Sequence, residues 1–221
     1  MLTDPTGEVI RVCDDGFYDW KEVDGEWGFY NSNNEKYAGD NQFVNQLSDA
    51  LSRLMSGGVA GHTLVKYLSE HESVTQIFHS DRSVTDGNNN IGWNETGVTK
   101  DGKIEAVPTV DGPDMNPIIT LGHELAHVEY ELKNGNKDVW LSPSEYGISK
   151  TVTNSDIYTT HYENLLRIEH QLPLRSHYII NKWGIGVGPA IIDNNGRSLY
   201  FDTRNKMYFK PLQNSQLRYS Y

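Results

Sequence analysis

The stretch NPIITLGHELAHVEYELKNG, residues 116–135, leaves little freedom in local structure. Asn116 is a strong N-cap, and Pro117 fits the first helical position, where its missing N–H is not needed. Gly135 can adopt the conformation that ends a helix after Lys133. Between them Ile118, Leu121, Leu125, Val128 and Leu132 recur at alternating spacings of three and four, the stripe of a core-facing helix. The spacing predicts a helix over about 117–133. His123, Glu124 and His127 fall mainly off that stripe. One turn separates the two histidines, so both imidazoles share a face and can reach one ion. Zinc accepts such nitrogen ligands at about 2.0 Å in a tetrahedral set. Glu124 between them can take a proton from a metal-activated water and pass it to a leaving amine. On a bare polar face the same histidines would be surface residues, but the capped helix and its flanking strand signals favour a metal site.

Two imidazoles make half a site. The extended pattern HExxHxxGxxH is absent, because VEYELKN follows His127. A third protein ligand is therefore expected from a carboxylate on a later segment, with Glu145, Asp156 and Glu163 as candidates. Glu163 is preferred. It lies in THYENLLRIEHQL, where Leu165, Leu166 and Ile168 predict a buried helix, and a helix holds a ligand more firmly than a loop. Its plainer role is an i,i+4 ion pair with Arg167. Glu145 precedes Gly147 in a loop, and Asp156 reads as a helix cap after TNS. Glu129 and Glu131 read as solvated helix-surface acids. Asp138 or Glu145 can receive the outer N–H of a liganding histidine. Just beyond the helix, PLRSHY sets Arg175 and Tyr178 three positions apart, and a guanidinium and a phenol can both donate to an oxyanion. His170 and His177 read as packing or surface residues, with orienting a ligand or stabilising charge as the alternative.

The remainder predicts one α+β domain over 1–221, with a helix at its centre and a small mixed or antiparallel sheet. Residues 1–40 are strand- and turn-rich, with EVIRV and EWGFY punctuated by DDG and VDG. NQFVNQLSDALSRLMSGG and GHTLVKYLSEHE read as helices. VTQIFHS, NIGWN and EAVPTV read as strands, as do HYII, SLYF and KMYF in the tail, and WGIGVGP as a turn or strand edge. Trp93 reads as core, with contact to a bound peptide as the alternative.

The net charge of −11 argues against nucleic acid as a partner and against a polybasic membrane anchor. No run is apolar enough to span a bilayer. A single cysteine, Cys13, excludes an intrachain disulfide and a cysteine-rich zinc site. The opening MLTDPTGEVIRVCDDG has neither the basic start nor the apolar centre of a signal peptide, so export would need another carrier. Met1 can equally open a C-terminal fragment of a longer chain.

TLGHELAH followed by YENLLRIEHQLPLRSHY resembles the effector-type zinc metallopeptidases, found as type III-secreted effectors and as C-terminal toxin domains of Rhs-like polymorphic toxins. The likeness is strongest over residues 110–180. Their pattern is HExxH, then ENxxRxExxxPxR ending in a tyrosine. The resemblance implies a zincin-like metallopeptidase domain with one catalytic Zn2+. His123, His127 and Glu163 would be its ligands and Glu124 its acid-base residue. The layout is also similar to clostridial neurotoxin light chains, which implies Arg175 and Tyr178 beside the oxyanion. The family usually has a hydroxyl residue before Glu-Asn, where this chain has Tyr162 preceded by His161. The function implied is an endopeptidase toxin or effector, secreted or delivered into a target cell, that cuts a protein there. An immunity protein or secretion carrier would be a partner. The alternatives are a zinc amidase acting on cell-wall material and a non-enzymatic metal-bound interaction module.

Overall fold

The computed structural model describes residues 9–135, 139–141 and 152–221, the short middle segment as backbone only. Asp138 and Glu145, considered above, lie outside them. The architecture is mixed α+β. Strands β1 (Ile10–Cys13), β2 (Phe17–Val23) and β3 (Glu26–Tyr30) form an antiparallel meander. The β2–β3 turn is the Asp24–Gly25 pair, both at positive φ, 53° and 83°. That is the geometry a tight two-residue hairpin demands. Strands β4 (Thr75–His79) and β6 (Asn90–Trp93) add in parallel, and β5 (Val84–Thr85) closes the edge antiparallel to β6. The strand order is β3-β2-β1-β4-β6-β5, a mixed sheet.

Three helices share a core with this sheet: α1 (Gln42–Gly57), α2 (Val59–Ser69) and α3 (Pro117–Asn134). Leu47, Leu51, Leu54, Leu64 and Leu68 from the first two helices meet Trp20, Ile77 and Ile91 from the strands. Trp93 is core too, and its indole N–H donates to the Pro117 carbonyl at 2.9 Å. The caps of α3 are those its sequence predicts. The Asn116 side chain accepts from the Ile118 and Ile119 amides, and Gly135 ends the helix at φ 75°.

A fourth helix, α4 (Asn154–Glu169), lies between α3 and the C-terminal strands. Thr153 and Asp156 form a reciprocal capping box at its start. Tyr162 and Leu166 join the main core, while Ile157 packs in a second cluster with Ile191, Ile192, Tyr200 and Phe201. Around these lie, among the described residues, four two-stranded pairings. These are β7 (Val107–Thr109) with β8 (Gly112–Asp114), β9 (Val139–Leu141) with β10 (Val152–Thr153), β11 (His177–Ile180) with β12 (Gly186–Ala190), and β13 (Arg197–Asp202) with β14 (Arg218–Ser220). KMYF, expected as a strand, contributes one bridge between Met207 and Phe201.

The presence of α4 overturns one expectation. Glu129 is not a solvated acid but 1% exposed, with Tyr158 donating to one oxygen at 2.7 Å and Lys133 Nζ at 2.6 Å from the other. The apolar stripe of α3 faces the main core, and α4 covers its polar side. Glu169, at the end of α4, performs a second task. Its Oε1 accepts from the Ala60 amide at 2.6 Å and its Oε2 from the Gly61 amide at 3.0 Å. Helix α2 starts at Gly58 without a side-chain cap of its own, so a carboxylate from α4 satisfies its first amides. Any side chain at Gly58 would collide with it, since a Cβ there would lie 2.4 Å from Glu169 Cδ. Among the described residues no helix is long and apolar enough to cross a membrane.

His161 is held on the far side of α4, stacked on Phe201 at 3.7 Å and bonded to Asn205 Oδ1 at 2.6 Å and to the Tyr221 hydroxyl. Burial pushes its pKa down to about 4, against a smaller upward pull from Asn205. An unfolded histidine titrates near 6.5. The folded state therefore binds fewer protons between these values, so the contribution is complete above about pH 6.5 and is lost as pH falls toward 4. We expect His161→Gln to remove about 3 kcal/mol from the difference in unfolding free energy between pH 7 and pH 4, read from urea titrations. Glu169→Ala, which uncaps α2, should cost about 1–2 kcal/mol at pH 7 in the same assay.

Candidate metal centre

Helices α3 and α4 run antiparallel, and each turn of one serves a turn of the other. Ser155 Oγ lies 2.7 Å from His127 Nδ1, and Asp156 Oδ1 lies 3.8 Å from His127 Nε2. One turn on, Thr159 Oγ1 is 3.4 Å from His127 Nε2 and 3.3 Å from His123 Nε2. A further turn on, Glu163 Oε2 is 3.0 Å from His123 Nδ1. That last contact is an ion-pair distance with the ring tilted off a good hydrogen-bond direction, which leaves a buried Nδ1 without a formal hydrogen bond. The close approach depends on Gly122, where a Cβ would fall 2.4 Å from Leu166 Cδ1.

The two imidazoles therefore turn their Nε2 atoms to one point, beside Thr159, and their Nδ1 atoms away from it. A proton on each Nδ1, beside Ser155 and Glu163, would leave each Nε2 with a lone pair. Ligands about 2.0 Å from a tetrahedral ion stand about 3.3 Å apart, the spacing Thr159 Oγ1 keeps from both nitrogens. Imidazole nitrogens are donors that zinc accepts, so the pair fits that ion in chemistry. As the side chains stand, no three His, Cys, Asp or Glu groups among the described residues are gathered tightly enough to enclose an ion.

Glu124 sits beside this point, 8% exposed, with Thr85 Oγ1 of the edge strand 2.7 Å from its Oε2 and 3.1 Å from its backbone oxygen. Burial raises its pKa, while the neighbouring His123 and the Thr85 hydroxyl bond pull the other way.

Glu163 is 2% exposed and bound on both oxygens. Arg167 Nε donates to Oε1 at 2.7 Å and Arg175 Nη1 to Oε2 at 2.5 Å. Desolvation would raise this carboxyl, but Arg175, the His123 contact and Arg167 outweigh it and hold it well below the ordinary range. Arg167 also reaches Asp114 Oδ2 at 2.8 Å and the Pro173 carbonyl at 3.0 Å. Glu163 thus faces the outer nitrogen of His123, not the point the two Nε2 atoms share.

Arg175 lies behind Glu163, 6% exposed. Its Nε donates to the His177 carbonyl at 3.0 Å and its Nη2 to the Tyr178 carbonyl. Asn164 grips its backbone from both sides, accepting from the Arg175 amide at 2.7 Å and donating to its carbonyl at 3.1 Å. Tyr178 does reach the site. Its hydroxyl donates to Asp156 Oδ1, and its ring stacks beside His123 at 6.4 Å. Burial, then the Asp156 charge, raise the phenol pKa, so the hydroxyl keeps its proton. The helix cap is Thr153 rather than Asp156, the residue expected from the sequence; Asp156 is its reciprocal partner in the capping box through Oδ2, while its Oδ1 turns inward. His170 lies against Gly57 and half-buried His177 against Gly186, which are packing positions.

Three residues of this site escaped sequence reasoning. Thr159 and Ser155 had a legible signal, since Ser155, Thr159, Glu163 and Arg167 form one polar row at spacing four on a helix otherwise buried. Thr85 had none, because a two-residue strand leaves no period to read. Compared with known protein families, curated proteins and solved structures, the chain matches none.

Gly122→Ala forces Leu166 from the gap between α3 and α4, and we expect a loss of about 1–3 kcal/mol in urea unfolding. Leu166→Ala in the same chain should recover part of the loss, so a double-mutant cycle showing simple additivity would count against this contact.

Proposed function

We propose that the chain is a zinc-dependent endopeptidase. The observation that carries this reading is the convergence of His123 and His127 Nε2 on one point beside the buried Glu124 carboxylate. A zinc ion held there supplies Lewis acidity and a water acidic enough to ionise near neutral pH. Glu124 would take a proton from that water as its oxygen bonds to the scissile carbonyl carbon, and return it to the amine as the C–N bond breaks. Thr85 keeps that carboxylate turned toward the site. Tyr178 is the donor nearest the imidazoles and can serve the oxyanion once it leaves Asp156. Arg175 acts through others, bracing Glu163 and fixing the Tyr178 backbone. A zincin-like arrangement is supported by the antiparallel edge strand β5 lying against the HELAH turn of α3.

Resemblance in the HELAH and ENLLRIEHQLPLR segments carries the biological setting we propose. The protein acts as a toxin or effector, secreted or delivered into a target cell, with an intracellular protein as substrate. A cognate immunity protein or a carrier would accompany it. Nucleic acid and membrane are not proposed partners for a chain of net charge −11.

The test is mass spectrometry of new protein N-termini in lysate exposed to purified protein, with zinc content measured alongside. We expect wild type to generate a defined set of termini. Glu124→Gln should retain zinc and lower cleavage about 100-fold or more. A chelator should abolish cleavage and added zinc restore it. Hydrolysis confined to muropeptides would make the chain an amidase. Zinc without hydrolysis, indifferent to Glu124→Gln, would make it a binding module.

A further inference from the structure

Sequence pattern favours Glu163 as the third zinc ligand, but its surroundings give it other work. Both oxygens are occupied by guanidinium groups of Arg167 and Arg175, each nearly without exposure. Arg175 is in turn fixed by two backbone carbonyls and the Asn164 clamp. To reach the point shared by the Nε2 atoms, Glu163 would have to leave two buried cations and pass the His123 ring. A buried cation stripped of its partner is expensive. From its present place Glu163 meets Nδ1, where a carboxylate orients an imidazole and makes its other nitrogen more basic.

Asp156 stands on the opposite side of the pair. Its Oδ2 completes the helix cap, accepting from the Thr153 amide at 2.6 Å and the Thr153 hydroxyl at 2.8 Å. Its Oδ1 is turned inward to Tyr178 and lies 3.8 Å from His127 Nε2. That is about half an ångström beyond the spacing of two zinc ligands, a gap that a small rotation closes. Thr159 is nearer but offers a neutral hydroxyl, which is not among the usual side-chain donors to zinc, whereas a carboxylate oxygen is.

Resting on the zinc reading above, we infer that Asp156 is the third metal ligand and that Glu163 is a positioning residue for His123. Tyr178 then steadies the same Oδ1 that faces the metal while Thr153 holds Oδ2, as Glu163 and Ser155 flank the two imidazoles.

The test compares zinc stoichiometry and affinity, by competition with a chromophoric chelator, in wild type, Asp156→Asn and Glu163→Gln. Visible spectra of the cobalt-loaded proteins are recorded in parallel. Glu163→Gln should keep one zinc and a tetrahedral cobalt spectrum, with affinity lowered about 10- to 100-fold, the cost of losing a group that only orients a ligand. Asp156→Asn should lose more than that and change the cobalt spectrum. The reverse pattern overturns the assignment. A third arm needs no substitution and so does not depend on either variant folding. Zinc-minus-apo infrared difference spectra are recorded on wild-type protein carrying 13C carboxyl label in aspartate or in glutamate. The coordination-shifted carboxylate band should move with the aspartate label, and a band that moves only with glutamate overturns the assignment. Wild-type protein that takes up no zinc at all overturns the metal reading itself and this inference with it, an outcome distinct from either pattern of variants.

Discussion

Glu163 is a carboxylate with almost no access to water, and much of the site is built to make that tolerable. An isolated buried charge is prohibitive, and a paired one survives only when every lone pair is used. Two arginines supply the counter-charge. Each brings a requirement of its own. Arg167 must reach Asp114 on β8, which ties α4 to the β7–β8 hairpin. Arg175 must be delivered from beyond the helix, so the chain is clamped by Asn164 and pairs with β7 through the Thr109–Arg175 bridge. The segment ENLLRIEHQLPLR is thus one device, in which Glu163, Asn164, Arg167, Glu169 and Arg175 each make a specific polar contact.

The same helix explains how α3 can carry histidines and acids in the interior. A helix buried on most sides needs a partner for its polar face. Here α4 provides hydroxyls and carboxylates in a row: Ser155, Thr159 and Glu163 toward the imidazoles, and Tyr158 toward Glu129. Glycine at 122 lets the two backbones close without displacing Leu166. Packing and polar satisfaction are not separable in this contact, because the atoms that fill the space are also the ones that orient the rings.

Much of this was legible in the sequence where signals are local. Asn116, Pro117 and Gly135 bounded α3 as written, and the Asp24–Gly25 turn fixed its hairpin. The HELAH spacing put both imidazoles on one face. What escaped was long-range. Glu129 looks like a surface acid until α4 covers it. Thr85 belongs to a strand too short for periodicity. Asp156 announces itself as a cap, and capping uses only one of its oxygens. Nothing in the spacing of Glu163 and Arg167 tells whether the pair is a solvated i,i+4 bridge or a buried one. That depends on Arg175, which folds back from outside the helix.

The rung-by-rung match of α3 and α4 has a consequence for how such chains diverge. An insertion of one residue inside a helix turns everything beyond it by about 100°. The span from His123 to His127 and the span from Asp156 to Glu163 are consequently locked to one another. The number of residues separating the two spans does not enter that match. Kin of this chain are best sought as two rigid words joined by an elastic gap, and their overall alignment can decay long before either word does.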